Sequence, residues 1–472
     1  MNNKLWDEQL SKPGAKPISR RAAISKLTAV SAGLGVAVVA AGVGGYFAGS
    51  LTAAPATVTI TATAPTPPVT PSPIKKFTIS FPGAPGGAQH IRLSRSFEIL
   101  KKKYPTLELE FIAKEWGVYY EWLLTSFGAG EPPDAPLIDC IWMPKFVELG
   151  FLEPLDDYVA KWPDYEQWIE TFKEGMIFDG HIYGIWGNTD VRPFWYWKEY
   201  FPEGFPKTFE ELLDKGREIG EKGYPKIAIP VLATIYPWYI IYASIAPEER
   251  MKSPGWGLFD VKNGKWIPIF HDEYGVKALE MMLEMKEVGG FYFHGVGEWP
   301  ANHDAFAEKK FSAFLVGNWL TVNILAKGYK YEDFPKYLGI SPFPPPKGGR
   351  VHAGIPGGWV HVIPKAAKAP KELIWEYITT TLDKELVGTT LAEVGLLPTR
   401  KDAWPILIEK SPNPFTKDFV EMFKNVYIRP EMTEWERVSK ILDDMQWAVL
   451  LGKQSPKEAA KEAADKISLI LG

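Results

Sequence analysis

From Lys75 onward, short apolar strands alternate with amphipathic helices, and this alternation restricts the possible folds more than any other feature of the chain. The sequence predicts strands at residues 76–81, 107–113 and 137–142, with helices at 89–104 and 119–127 between them. Strands separated by helices build a sheet of parallel strands that helices cover on both faces. The first part of the folded chain is therefore predicted to be an α/β unit.

The alternation returns further along the chain. It predicts helices at residues 208–222 and 275–288 and strands at 226–230 and 311–316. A chain of 472 residues is also too long for one ordinary hydrophobic core. The predicted fold class is α/β, with two lobes that each contain a mostly parallel sheet and flanking helices.

The N-terminal part of the chain has a different character. Residues 1–26 are basic, whereas residues 27–51 carry no charge and are rich in Ala, Gly and Val. An uncharged stretch of this length can span a bilayer as a helix, and its basic flank predicts that the N-terminus stays in the cytoplasm. Ala56 ends a small-residue sequence that fits a signal cleavage site. Residues 27–51 can therefore be either a membrane anchor that is retained or a signal peptide that is removed, and the anchor is favoured.

Residues 52–74 form a tract dominated by Thr and Pro. Such a composition cannot build a core, and its prolines keep the chain extended, so the tract is predicted to be a stalk. A stalk after a membrane segment places the folded part outside the cell. The predicted location is the outer face of the membrane, or the exterior after cleavage near Ala56.

The composition argues against several classes of function. A net charge of −4 gives no basic field for a nucleic acid. Cys140 is the single cysteine, so neither an intrachain disulfide nor a cysteine-rich metal site can form. The seven histidines lack a zinc-binding spacing, and the chain has no phosphate-binding loop and no G-x-S-x-G turn. No metal site, no cofactor and no enzyme activity is predicted.

Tryptophan is abundant, with nineteen residues among 472. Most of these side chains are expected to fill the core. A subset could instead line a site where flat apolar ligand faces stack on the indole rings.

Seven groups of segments occur in an order that is typical of one protein family. They are Asp134–Asp139 with Leu149–Tyr158, Asp179–Asp190 with Phe194–Lys198, Pro206–Leu212, Ala305–Ala313 with Gly317–Trp319, Gly357–Lys365, Gly395–Arg400 and Pro456–Ala464. Together they cover essentially all of the chain after residue 75. In this the chain resembles the extracellular solute-binding proteins, the family that includes maltose- and other sugar-binding subunits of ABC importers.

The resemblance implies a periplasmic-binding-protein fold of type II, with two hinged lobes and the ligand between them. Lobe 1 would comprise residues 75–190 and about 343–398, and lobe 2 residues 191–342 and about 399–472. Crossing segments would lie near residues 188–193, 341–346 and 396–400. The implied function is that of a monomeric subunit, which binds a sugar or oligosaccharide and delivers it to an ABC permease without breaking a bond.

The resemblance also implies two ligand-binding residues, Asp190 in the first crossing segment and Trp319 as a stacking ring. Arg192 would face the same side as Asp190 if that segment is extended. Trp142 and Asp139 lie at the carboxyl end of a predicted strand, where sheets of this kind bind ligands. Four further predicted residues lie in segments close to the family's ligand contacts: Trp238, Gly358, Trp359 and Trp435.

Each of these residues has a structural alternative. Asp190 and Arg192 could form a salt bridge that fixes the hinge, Asp139 could cap a helix, and the tryptophans could belong to the core. Three other functions also stay open: the same fold with a peptide, polyamine, iron or phosphate-like cargo; a surface-anchored glycosidase with a carboxylate pair; and a sensory binding module.

Overall fold

The computed structural model describes residues 76–231, 236–253, 255–427 and 432–472. The predicted N-terminal region 1–26, the uncharged stretch 27–51 and the stalk 52–74 lie outside the described residues. Among the helices of the described ranges, none is long and apolar enough to cross a membrane.

The β-strands of the described residues are short. They are β1 (Lys76–Pro82), β2 (Glu108–Lys114), β3 (Ala135–Asp139), β4 (Ile177–Phe178), β5 (His181–Ile182), β6 (Ile185–Trp186), β7 (Phe194–Trp197), β8 (Ile227–Pro230), β9 (Phe259–Lys262), β10 (Lys265–Pro268), β11 (Phe291–His294), β12 (Ala313–Leu315), β13 (Leu338–Ser341) and β14 (Trp359–His361).

The α-helices are α1 (Ala88–Lys103), α2 (Trp116–Gly128), α3 (Met143–Glu148), α4 (Asp156–Val159), α5 (Glu170–Glu174), α6 (Phe209–Lys222), α7 (Trp238–Ile245), α8 (Glu248–Met251), α9 (Glu273–Glu287), α10 (Trp299–Ala307), α11 (Leu320–Ala326), α12 (Phe334–Tyr337), α13 (Lys371–Thr381), α14 (Lys384–Val394), α15 (Trp404–Lys410), α16 (Thr416–Phe423), α17 (Trp435–Leu450) and α18 (Pro456–Leu471). Short 3-10 turns lie at Pro163–Gln167, Lys198–Tyr200, Val296–Glu298, Tyr331–Asp333 and Lys401–Ala403.

Two five-stranded sheets organise these elements. The first has the strand order β2-β1-β3-β14-β6 and the second the order β11-β8-β12-β7-β13. Helices α1, α2, α13 and α14 pack on or beside the first sheet, and α9, α17 and α18 pack together in the second half of the fold. We call the first sheet with its helices lobe 1 and the second lobe 2.

Each sheet contains one reversed strand, which the predicted mostly parallel sheets allow but do not locate. β14 runs antiparallel to β3 and β6, and β7 runs antiparallel to β12 and β13, whereas β1 pairs in parallel with β2 and β3. The reason lies in the connections. β7 and β14 both follow a segment that arrives from the other lobe, so each enters its sheet from the end at which the neighbouring strands leave.

The predicted helix of residues 208–222 illustrates how local sequence sets an element's bounds. Thr208 is the N-cap, and its hydroxyl accepts the Glu211 N–H at 3.3 Å, while Gly223 ends the helix with a φ of +65°. Both features are ordinary helix start and stop signals.

The predicted strand at residues 137–142 is shorter in the structure, where β3 ends at Asp139. The Asp139 carboxylate accepts the Ile141 N–H at 3.3 Å, and this local bond turns the chain away from the sheet. Trp142 is consequently the N-cap residue of α3 and not the end of a strand.

Three segments connect the lobes and are hydrogen-bonded to one another. Within the first, the Gly187 N–H donates to Trp359 O at 2.9 Å, the Thr189 N–H to Leu397 O at 2.8 Å and the Arg192 N–H to Ala353 O at 3.0 Å. The first crossing segment therefore lies between the other two. The lobe boundaries expected from the sequence stay a prediction.

The second crossing contacts the first through residues 353–359, later in the chain than the predicted 341–346. The preceding residues fold back on lobe 2: Phe343 pairs with His352, and the Arg350 side chain donates to the Ala243 and Ala246 carbonyls at the end of α7. A proline-rich start alone does not reveal this excursion.

Gly358 provides a test of the packing at the crossing. Its φ is +150°, and a Cβ there would lie 2.0 Å from Asn188 O and 2.1 Å from Trp186 Nε1. We expect Gly358→Ala to lower the free energy of unfolding by about 3 kcal/mol, because it adds backbone strain to overpacking. Urea unfolding followed by tryptophan fluorescence measures this.

Gly180→Ala is the matched control. Gly180 also has a positive φ, +84°, but a Cβ there would meet nothing within 4 Å. Gly180→Ala should lower the free energy of unfolding by only about 1 kcal/mol, which is the strain of a residue with a left-handed backbone conformation. If both variants lost the same amount of unfolding free energy, the close packing around Gly358 at the crossing would be contradicted.

Candidate functional site

The carboxyl ends of strands from both sheets converge on the crossing segments. From lobe 1, β3 ends at Asp139 and is followed by Trp142; from lobe 2, β12 ends at Leu315 and is followed by Trp319. Such strand ends are where α/β sheets bind ligands. The candidate site lies between these two edges, and we call this place the cleft.

Asp190 and Arg192 form a buried salt bridge in the first crossing segment. Arg192 Nη2 lies 3.1 Å from Asp190 Oδ1, and both side chains are less than a tenth exposed. Asp190 Oδ1 also accepts the Gly357 N–H at 3.3 Å, and Arg192 Nε donates to Ile355 O at 3.1 Å. The pair joins the first crossing segment to the second, as in the alternative role predicted for it.

Trp319 lies against this salt bridge. The Arg192 guanidinium is 4.9 Å from the centre of the Trp319 ring and 4.9 Å from that of Tyr236. The Trp319 Nε1–H donates to His303 Nε2 at 3.1 Å. Gly317 allows the ring to lie where it does, since a Cβ at that position would be 1.9 Å from the ring. Trp319 stays partly exposed.

A group of aromatic side chains surrounds Trp142 in lobe 1. We call it the lobe 1 aromatic group; it comprises Trp116, Tyr119, Tyr120, Trp142 and Trp359. Trp116 stacks on Trp142 with ring centres 6.0 Å apart, and Trp359 meets it edge-on at 6.1 Å. Trp116 and Trp359 are partly exposed, whereas Trp142 is buried.

Asp139 lies beside this group. Its carboxylate accepts the Trp116 Nε1–H at 3.3 Å as well as the Ile141 N–H. Asp139 also pairs with Trp359 in the ladder between β3 and β14. It therefore shapes the loop before α3 rather than capping that helix, whose N-cap is Trp142.

Trp238 and Trp435 are fully buried. The Trp238 Nε1–H donates to Gly275 O at 2.9 Å, and its ring stacks on Tyr242. Trp435 begins α17, and its Nε1 is buried without a hydrogen-bond partner among the described residues. Both rings are buried, as in the alternative stated for the tryptophans.

Sequence reasoning missed two side chains of the site. Glu436 accepts the Trp142 Nε1–H at 2.5 Å, a bond from lobe 2 to lobe 1. The Tyr236 ring lies against Arg192, and its buried hydroxyl has no hydrogen-bond partner within the described part of the chain. Tyr236 stands two residues before the predicted Trp238 and Glu436 one residue after Trp435, so a window around each predicted tryptophan would have included them.

The charge on α17 influences the aromatic group. Burial is the main cause that raises the pKa of Tyr120 to about 12, and the carboxylates of Glu436, Glu121 and Glu434 add to it. Tyr120 therefore stays a neutral phenol at physiological pH. In the described ranges, no cluster of three or more His, Cys, Asp or Glu side chains could hold a metal ion.

A polar network lies behind the first crossing segment. The buried Arg92 donates to Gln89 Oε1 at 3.0 Å and to Asn188 Oδ1 at 2.8 Å, and its Nη2 is 2.8 Å from His361 Nε2. Arginine can only donate, so His361 Nε2 is the acceptor and His361 is neutral. Burial lowers the pKa of Arg92 to about 10.

The sequence profile of the bacterial extracellular solute-binding protein family matches residues 87–385, which include strands of both sheets and the first crossing segment. The chain belongs to this family. Membership places the folded part of the solute-binding protein outside the cytoplasm.

A curated relative supports this assignment. The solute-binding protein is 24% identical to the maltotriose-binding protein of Pyrococcus abyssi (strain GE5 / Orsay) over 391 residues, which cover 78% of this chain and 76% of that protein.

Solved structures show the same fold. The GacH receptor of Streptomyces glaucescens, determined unliganded and with acarbose, matches with a TM-score of 0.72 at 20% identity over 84% of this chain and 98% of that chain. An ABC transporter solute-binding protein of Thermotoga lettingae bound with α-D-tagatose matches with a TM-score of 0.69 at 23% identity over 84% and 100% of the two chains. The predicted two-lobed α/β fold is confirmed.

The polar network behind the first crossing segment predicts that the free energy of unfolding depends on pH. Burial, followed by the charge of Arg92, holds the pKa of His361 well below its usual value. Unfolded His361 binds a proton below about pH 6.5, so its contribution to stability is full above that pH and is lost as the pH falls. We expect His361→Gln, which keeps an acceptor for Arg92, to flatten the slope of unfolding free energy between about pH 5.5 and 4 by about 1.4 kcal/mol per pH unit.

Urea unfolding at a series of pH values measures that slope. Above about pH 7.5 the variant and the original protein should have the same slope, since the imidazole is neutral in both the folded and unfolded states. An unchanged slope at low pH would show that folded His361 takes up a proton.

Proposed function

We propose that this protein is the substrate-binding subunit of an ABC importer and that its solute is a sugar or oligosaccharide. One observation carries the proposal: Trp319 of lobe 2 and Trp359 of lobe 1 are both partly exposed and both lie next to the crossing segments. An indole from each lobe is thus within reach of a ligand in the cleft.

Indole rings suit the apolar C–H face of a pyranose, and the sugar's hydroxyl rim needs groups that donate and accept. Each stacking contact contributes about 1 kcal/mol by analogy with aromatic pairs. Two or three stacks with several charge-assisted hydrogen bonds would reach micromolar affinity, about −8 kcal/mol.

The proposed ligand-binding set keeps the residues predicted from the sequence and gives each a role according to where it lies in the structure. Trp319, Trp359 and Trp116 supply ring faces, and Asp139, Asp190 and Arg192 supply charged groups at the cleft base. Trp142 and Gly358 hold these groups in place, and Trp238 and Trp435 support the cleft wall from the core.

Capture would proceed by closure of the lobes around the ligand, with bending distributed over the three crossing segments. A ligand that contacts both lobes shifts the open–closed equilibrium towards the closed form. A membrane permease would then recognise the closed form, and no bond in the solute is broken.

The relatives' names agree with this solute class, since they refer to maltotriose, acarbose and α-D-tagatose. We further propose that the protein acts as a monomer at the outer face of the membrane, held there by residues 27–51 through the stalk of residues 52–74. Recovery of the full chain in washed membranes, and of a chain that starts at residue 75 in the soluble fraction, would test the anchor.

The solute class is tested by thermal shift with maltotriose, maltose and α-D-tagatose. A saccharide at 100 times its Kd should add about 2.7 kcal/mol of stability. Trp319→Ala and Trp359→Ala should each raise Kd about fivefold, because each loses about 1 kcal/mol of stacking. Isothermal titration of the saccharide that gives a shift measures this loss.

Trp375→Ala is the matched control. Trp375 on α13 makes a tilted contact with the Tyr158 ring and an edge-on contact with the Trp162 ring, and neither ring belongs to the proposed ligand-binding set. It should bind like the original protein. Unchanged binding in all three variants would show that Trp319 and Trp359 do not contact the solute. The absence of a thermal shift with a broad panel of saccharides would contradict the proposal that the solute is a sugar.

A further inference from the structure

A hydrogen bond between two side chains links the lobes away from the crossing backbone. The Trp142 Nε1–H of lobe 1 donates to Glu436 Oε1 of lobe 2 at 2.5 Å. Glu436 is the second residue of α17, a helix that packs against α9 and α18. The donor and the acceptor thus belong to different halves of the fold.

Lobe 1 fixes the Trp142 ring on several sides. Trp116 stacks on it, and the rings of Tyr120 and Trp359 lie 5.2 and 6.1 Å from its centre. These ring contacts of Trp142 all come from lobe 1, whereas the acceptor of its indole N–H comes from lobe 2. A hydrogen bond to an ionised carboxylate is about twice as strong as one between neutral groups.

A second, weaker contact joins the same two helices. Lys145 Nζ of α3 lies 3.8 Å from Glu434 Oε1, just before α17, and both side chains are more than a quarter exposed. Surface pairs of this kind contribute little. The buried indole and its carboxylate are the stronger link.

We propose that Glu436 is a positioning residue for solute binding, which orients the Trp142 ring and its stacked neighbours and makes this bond only when the lobes approach. Its effect on solute binding rests on the proposed function, whereas its effect on the distance between the lobes does not. The Glu436 carboxylate thereby couples the orientation of the Trp142 ring to the closure of the two lobes.

The first test measures the distance between the lobes on the full chain without a solute. Spin labels at Lys101→Cys in α1 and Glu280→Cys in α9 report it, since both positions are exposed and Cys140 is buried. We expect Glu436→Ala to shift the distance distribution to longer values and Glu436→Gln, which keeps a neutral acceptor, to shift it less.

Trp142→Phe removes the donor from the other lobe and should also lengthen the distance. The double variant with Glu436→Ala should be no more open than the single variants, because both remove the same bond. Lys440→Ala is the control one turn along α17; its side chain pairs with Asp444 and should leave the distance unchanged. Identical distributions in the original protein and Glu436→Ala would overturn the link between the lobes.

The second test measures solute release by stopped-flow fluorescence with maltotriose as the probe. Glu436→Ala should release it about tenfold faster and bind it at a nearly unchanged rate, since interface changes act mainly on dissociation. An unchanged release rate would overturn the positioning role. If the original protein does not bind maltotriose, the proposed solute fails, and the distance measurement still decides whether Glu436 links the lobes.

Discussion

The hydrogen bonds among the three crossing segments are the constraint on which the rest of the structure depends. Buried backbone groups must find partners, and the first segment finds them at Trp359, Leu397 and Ala353 on its two neighbours. This arrangement gives the N–H groups of Gly187, Thr189 and Arg192 partners where the chain passes between the lobes. It also explains the sheets, since β7 and β14 leave the crossing and must run against the strands that lead towards it.

The charges at the crossing follow from that geometry. A buried ion pair stabilises a fold only when further hydrogen bonds satisfy both ions. Asp190 and Arg192 meet this condition through the Gly357 N–H, the Ile355 carbonyl and the rings of Tyr236 and Trp319. The same guanidinium thus ties two crossing segments together and supports a ring at the cleft edge. The structural role of this pair is therefore compatible with the ligand-facing role proposed for it.

Much of the fold could be predicted because it depends on local patterns. The alternation of strands and helices located β1, β2, α1 and α6 within a few residues, and Thr208 marked the start of α6. The reversed strands and the excursion of residues 343–352 could not be predicted, because they arise from pairing between distant parts of the chain. Glu436 was missed for the same reason: its partner is 294 residues away in sequence.

The tryptophans show why a residue type alone cannot define the site. Trp238 and Trp319 both follow strands of lobe 2. The indole Nε1–H of Trp238 donates to a backbone carbonyl in the core, whereas Trp319 stays partly exposed beside Arg192. What separates them is their contacts, since Trp238 stacks on Tyr242 and Trp319 lies against Arg192 of the first crossing segment. Because Trp359 pairs directly with the first crossing segment and Trp319 rests on Arg192 within it, the spacing of the two exposed rings is set by that segment. Under the proposed function, the length of solute that fits between them would depend on the hinge as much as on the rings.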